Sequence, residues 1–301
     1  MIKYCNRDLV PDQNYSPDNQ YHNEWFISYF SFLRDPQVEK QLGDAFYQAR
    51  FVYKLTSLAC HADFQVVSYI AVLFKLQYEL STIDGLKKTS GNARTIKQIK
   101  SYLHRHYLYD ILRDNWSSAG NIKLEDLLAD PKTCRYTGDI PRSSFEQTIA
   151  DWLLRGNERV SESITTETRL FWNYYLRLSL SAAEIDKGKY DMEHCVPKNV
   201  LKMYFTKKNM PVPISSPCNL VYIPKGDNRS KGDSTYYQKK NQNPTAYKLS
   251  EVELDRYLYP THSELSFIES PETITIEHYR RFLKDRATTI TNRMIKALYN
   301  E

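Results

Sequence analysis

The sequence predicts an α+β protein that is predominantly α-helical: a helical body carrying a small strand–strand–helix unit and a closing C-terminal helix. Three observations lead there. Apolar residues recur at intervals of three and four over most of the chain; two short β-prone runs, 190–194 and 219–223, sit between Gly and Pro breaks; and the last apolar stripe runs uninterrupted through 275–299. With 301 residues, 41% of them hydrophobic, the chain can bury a substantial core.

Taken in order, the first two dozen residues, rich in Asn, Asp, Pro and Tyr, predict an irregular arm. Helices are expected over 24–33, 36–57, 62–80 and 93–114, with Gly85 and Gly91 marking the loop between the last two. A broken stretch, 116–143, contains Asp130-Pro131 and Thr137-Gly138-Asp139-Ile140-Pro141. Helices at 144–154 and 161–183 follow, and Phe171, Tyr174 and Leu178 give the second its rhythm. His104 and His106 are expected on a polar, basic helix face. Residues 190–194 and 219–223 predict two strands, with 200–216 as a helical turn and loop between them; Pro224-Lys225-Gly226 breaks before a helix near Asp227 or Asn228. In the last helix Ile276, Tyr279, Leu283, Ala287, Ile290, Met294 and Leu298 form the apolar side, and Arg280, Arg281, Lys284, Asp285 and Arg286 the polar side. The expected division is 1–185 helical domain, 186–245 site unit and 246–301 C-terminal helical segment packing on the body.

The strand–strand–helix unit concentrates the chemistry. Asp191-Met192-Glu193-His194-Cys195-Val196-Pro197 is followed by Asn219-Leu220-Val221-Tyr222-Ile223 and then Asp227-Asn228-Arg229-Ser230-Lys231-Gly232. Hydrolysis of a phosphodiester needs an activated water, a cation to absorb charge and groups that hold the backbone. An imidazole, with an ordinary pKa of about 6.5, suits His194 to the first task. Glu193 and the Asn228 side-chain carbonyl are hard oxygen ligands, a sparse set that suits Mg²⁺, with Mn²⁺ able to substitute. Asp191 shares a strand face with Glu193 by alternation and is a further candidate ligand. Asn219 is placed to accept from His194 or to bond the neighbouring backbone. Lys231 and Arg229 then meet phosphate oxygens.

In this order the motifs resemble the HNH, or ββα-metal, endonuclease motif over residues 190–234, in the variant with Glu-His first and Asn at the second and third positions. The pattern is similar to the HNH domain that ends GmrSD-like modification-dependent restriction enzymes, and Asp227-Asn228-Arg229-Ser230-Lys231-Gly232-Asp233 is similar to the HNH domain of RNA-guided CRISPR nucleases. The resemblance implies His194 as general base, Asn219 as its support, and Glu193 and Asn228 as metal ligands. It implies a DNA endonuclease of prokaryotic or phage restriction or anti-phage defence. Around Trp116, from Ile149 to Leu154 and in the last helix the chain also resembles the regions flanking that domain. An Asp-Gly-Gln-Gln-Arg motif of the ParB-like nucleotide-binding domain is not in this sequence, so nucleotide-driven sensing would fall to a separate NTPase or sensor subunit.

Charge supports a phosphate-bearing partner. Between Cys195 and Lys240 nine Lys or Arg face two Asp, net +7, while the whole chain carries +5, leaving −2 elsewhere. Lys198, Arg229, Ser230, Lys239 and Lys240, with Tyr236 and Tyr237 as stacking residues, are the candidate nucleic-acid contacts. Five cysteines without a Cys-x-x-Cys argue against a disulfide framework and against structural zinc. No apolar run approaches a membrane span or a signal peptide, which predicts a cytoplasmic protein without membrane contact. Two other readings stand beside a DNA nuclease: a nucleic-acid-binding subunit whose partner cleaves, and an RNA-directed nuclease or toxin. A homo-oligomer is compatible with either strand-cutting reading, since one such unit cuts one strand at a time.

Overall fold

A computed structural model describes residues 63–82, 85–180, 184, 190–206, 210–225, 233–270 and 273–299. The expected arm and the helices at 24–33 and 36–57 lie outside the described residues. Within them the protein is predominantly helical with two small antiparallel sheets.

Helix α1 (Asp63–Gln77) opens the described body. It stops short of the expected 80 because Tyr78–Thr82 (β1) and Gly85–Lys88 (β2) form an antiparallel hairpin where a helix end and a loop were predicted. Helix α2 (Ala93–Leu112) follows the predicted course. The stretch expected to be broken contains a ten-residue helix, α3 (Gly120–Ala129), entered through Ala119 at φ 54°. Helix α4 (Arg142–Glu158) and helix α5 (Thr166–Ser179) come next; the Thr165 hydroxyl caps α5 by accepting from the Thr168 amide.

Strand β3 (Tyr190–His194) spans its predicted residues and pairs antiparallel with β4 (Leu220–Pro224), His194 opposite Leu220 and Glu193 opposite Val221. Between them lie α6 (Lys198–Tyr204) and a 3₁₀ turn, Pro217–Asn219. The helix start expected near residue 227 lies outside the described residues; the next described helix is α7 (Tyr236–Gln242), where Thr235 and Gln238 form a reciprocal capping box that sets the start. The same device, Ser250 with Glu253 and Thr261 with Glu264, starts α8 (Glu251–Arg256) and α9 (His262–Leu265).

The closing helix α10 (Ile276–Tyr299) packs on α4, α5 and the Pro217–Asn219 turn. One assignment on it is corrected. Arg286, expected on the polar side, lies within the buried stripe at 2% exposure. Its Nε donates to Cys218 O (2.8 Å) and Nη1 to Leu258 O (2.8 Å), so a single cation ties the turn before β4 to the end of the α8 segment. The buried residues form one cluster from Tyr69 to Leu298 that includes β4, with Tyr190 and Met192 of β3 packed against it, so the three expected segments share a core.

Candidate active site

Asn219 is fully buried and bonds backbone rather than His194, the second of its two expected options. Oδ1 accepts from Val196 N (2.8 Å), and Nδ2 donates to Val196 O (3.1 Å) and Ile214 O (2.9 Å). Its own carbonyl accepts from Cys195 N at 2.8 Å. The amide thus continues the β3–β4 ladder past His194 and fixes the backbone on which that histidine stands. Beneath it the turn is bolted to the helical body: Trp172 Nε1 donates to Pro217 O (3.1 Å), and the Ser216 hydroxyl to Asn157 Oδ1 (2.6 Å).

The ring of His194 is held from a direction the sequence did not signal. Its Nε2 lies 3.2 Å from Ser215 Oγ, and that hydroxyl donates to Glu162 O at 2.7 Å. A serine hydroxyl has one proton. With that proton on the Glu162 carbonyl, Oγ meets Nε2 as an acceptor, which places the imidazole proton on Nε2 and the lone pair of the neutral ring on Nδ1. Ser215 N also donates to Ser161 O (3.1 Å), so the segment between α4 and α5 is clipped to the site at two points.

Glu193 and His194, as consecutive strand residues, leave the backbone on opposite sides. Glu193 is buried at 8% exposure and Asp191 is half-buried. Burial raises the Tyr259 hydroxyl well above its ordinary pKa, with Cys195 and Glu193 pushing the same way. Among the described residues no three His, Cys, Asp or Glu side chains gather as a metal cluster. Asn228, Arg229, Ser230 and Lys231 lie outside the described residues.

The expected nucleic-acid contacts divide. Lys198 and Lys202 of α6 both pair with Glu162, at 3.0 and 2.7 Å. Lys239 is half-buried, and Lys240 donates to Leu249 O (2.7 Å) within the fold. One tyrosine requires correction: Tyr236 is fully buried, its hydroxyl accepting from Leu249 N (2.8 Å), and its ring meets Tyr247 and Tyr259 edge-on, so no base can stack on it. Tyr237 donates to Pro260 O (3.0 Å) and packs on Tyr259 and His262. Tyr236 went to the core because Tyr247 and Tyr259, on the segments that flank α8, cover its ring. His106 is corrected likewise: it is buried, with Nε2 2.9 Å from Gly138 O, not on a basic face.

Cys195 and Cys218 are buried thiols, and burial pushes Cys218 up to about 12 against the opposing pull of Arg286. No described helix is long and apolar enough to cross a membrane. No protein-family model, curated protein or solved structure matches the chain.

Proposed function

We propose that this chain is a metal-dependent HNH endonuclease that hydrolyses phosphodiester bonds in DNA, with the role of a restriction or anti-phage effector following from the sequence resemblance. The observation that carries this reading is the state of His194. An imidazole fixed through Nε2 by Ser215, on a strand end locked by Asn219, keeps Nδ1 as the basic nitrogen for a water. An unordered surface histidine has no use for such support.

Glu193, with Asn228, is the proposed metal seat. A divalent cation bound there would neutralise charge on the phosphate and the leaving oxygen. Because Glu193 and His194 diverge from one strand end, a phosphate set against that end would have the water on one side and the leaving oxygen on the other, as in-line displacement requires. Lys231 and Arg229 are the proposed phosphate contacts of the following turn.

The test is nicking of supercoiled plasmid by wild-type and His194→Ala protein in Mg²⁺, Mn²⁺ or EDTA. The expected outcome is metal-dependent nicking, reduced by at least about 10²-fold in the variant while DNA binding persists. Equal cleavage by both proteins would remove His194 from the mechanism. Binding without cleavage by the wild type would favour a subunit that depends on a partner.

A further inference from the structure

Glu162 touches the candidate site twice, through different atoms. Its backbone carbonyl takes the Ser215 proton that orients His194. Its carboxylate receives Lys198 and Lys202, and both ammonium groups converge on the same atom, Oε2, at 3.0 and 2.7 Å. The backbone here is pinned, since Ser215 N donates to Ser161 O and Ser163 N to Ser161 Oγ (both 3.1 Å). The Glu162 side chain, by contrast, is 45% exposed and can turn away without disturbing that backbone. The two lysines hold the carboxyl below its usual range, so it is anionic at neutral pH.

Two cations aimed at one oxygen, one turn apart on α6, form a cradle for an oxyanion. We infer that Lys198 and Lys202 are a backbone-phosphate subsite of the DNA substrate, and that Glu162 occupies it as an internal stand-in which the DNA displaces. The proposal rests on the nuclease reading and deepens it by naming a contact and a competitor. Energetics allow the exchange: an exposed carboxylate pair contributes little, so a phosphate that also releases counterions takes the site. Position supports it too, because the cradle is joined to the catalytic histidine by only Glu162 and Ser215. Leaving the Glu162 carbonyl in place keeps His194 oriented while DNA is bound.

The test is binding of a fluorescein-labelled 20-base-pair duplex in EDTA, where no cleavage intervenes, across a salt series. Glu162→Gln retains the backbone carbonyl and removes the competing charge; it is expected to tighten binding about 1.5- to 5-fold. Lys202→Ala is expected to weaken binding and reduce the salt slope by about 1. The decisive arm is Glu162→Gln in a Lys198→Ala, Lys202→Ala background, where the gain should vanish. An equal gain in both backgrounds would mean only general repulsion and would overturn the subsite, as would an unchanged salt slope or a wild type that does not bind the duplex. Since the readout is binding, a protein that binds in this manner yet never cuts would sink the nuclease reading and leave the subsite standing.

Discussion

At the scale of single residues, Asn219 shows how a side-chain amide acts as a piece of strand. One N–H and two carbonyls, all buried, depend on it. Asn219→Ala should cost about 2–4 kcal/mol in urea unfolding, because it orphans these groups. Asn219→Asp should cost more, as it turns a charged oxygen toward the carbonyls of Val196 and Ile214; a variant as stable as wild type would refute the role. The sequence marked Asn219 as a turn residue before an apolar strand but left its partner open, since the choice between imidazole and backbone depends on where residues 196 and 214 lie. Ser215 and Glu162 were not legible at all. They are ordinary in type, and Glu162 comes from the helical body, far upstream of the motif. Yet Ser215 fixes the histidine tautomer. Nitrogen-15 spectra of His194 should show a protonated Nε2, and Ser215→Ala should lose that preference together with about tenfold in nicking rate, whereas Ser215→Thr retains both. A protonated Nδ1 in the wild type would reverse the assignment of the basic nitrogen.

At the scale of elements, the site is positioned by a close approach that needs glycine. Gly156 stands inside α4 against the turn that leads into β4, and a Cβ there would fall 2.6 Å from Pro217 Cδ. In an open helix, Gly→Ala stabilises by about 1 kcal/mol. Here the Pro217 carbonyl is held by Trp172 and the neighbouring Ser216 by Asn157, so the turn has to shift as a unit. Gly156→Ala is therefore expected to lower thermal stability and to reduce nicking, because the displaced turn carries Asn219; a raised melting temperature would show that the turn yields freely. The elements that were legible had a strong local signal. Residues 190–194 lie between breaks, and α10 repeats its apolar stripe over six turns. The β1–β2 hairpin was hidden because Leu80 and Leu86, which pair across it, also suit a helix continuing from α1 and a loop rich in lysine. Arg286 was misplaced because residue type outvoted phase: it stands three after Leu283 and four before Ile290, squarely in the buried stripe.

At the scale of the molecule, helical body, site and closing helix hold one core, and two histidines on α2, His106 buried and His104 half-buried, make that core sensitive to acid. Arg105, between His104 and His106, ties α2 to the closing helix: it pairs with Asp139, donates to Leu298 O at 3.1 Å and lies 4.3 Å over the Tyr299 ring. Burial lowers His104 to about 4, the Arg105 charge acting in the same direction, and burial also lowers His106. Both are therefore neutral in the fold, whereas a histidine in the unfolded chain titrates near 6.5. Between those values the unfolded chain binds more protons, so stability is full above about pH 6.5 and falls as pH drops toward 4. From pH 7.5 to pH 5, His104 alone should remove on the order of 2 kcal/mol. The urea midpoint of the wild type should accordingly decline over that interval, and His104→Gln, which cannot titrate there, should flatten the decline. The loss would be felt at the site as well as in the body, since α10 meets α2 at one end and supports the Pro217–Asn219 turn through Arg286. A midpoint that stays constant from pH 7.5 to pH 5, or a variant that declines as steeply as the wild type, would show that His104 does not set the acid limit of the fold.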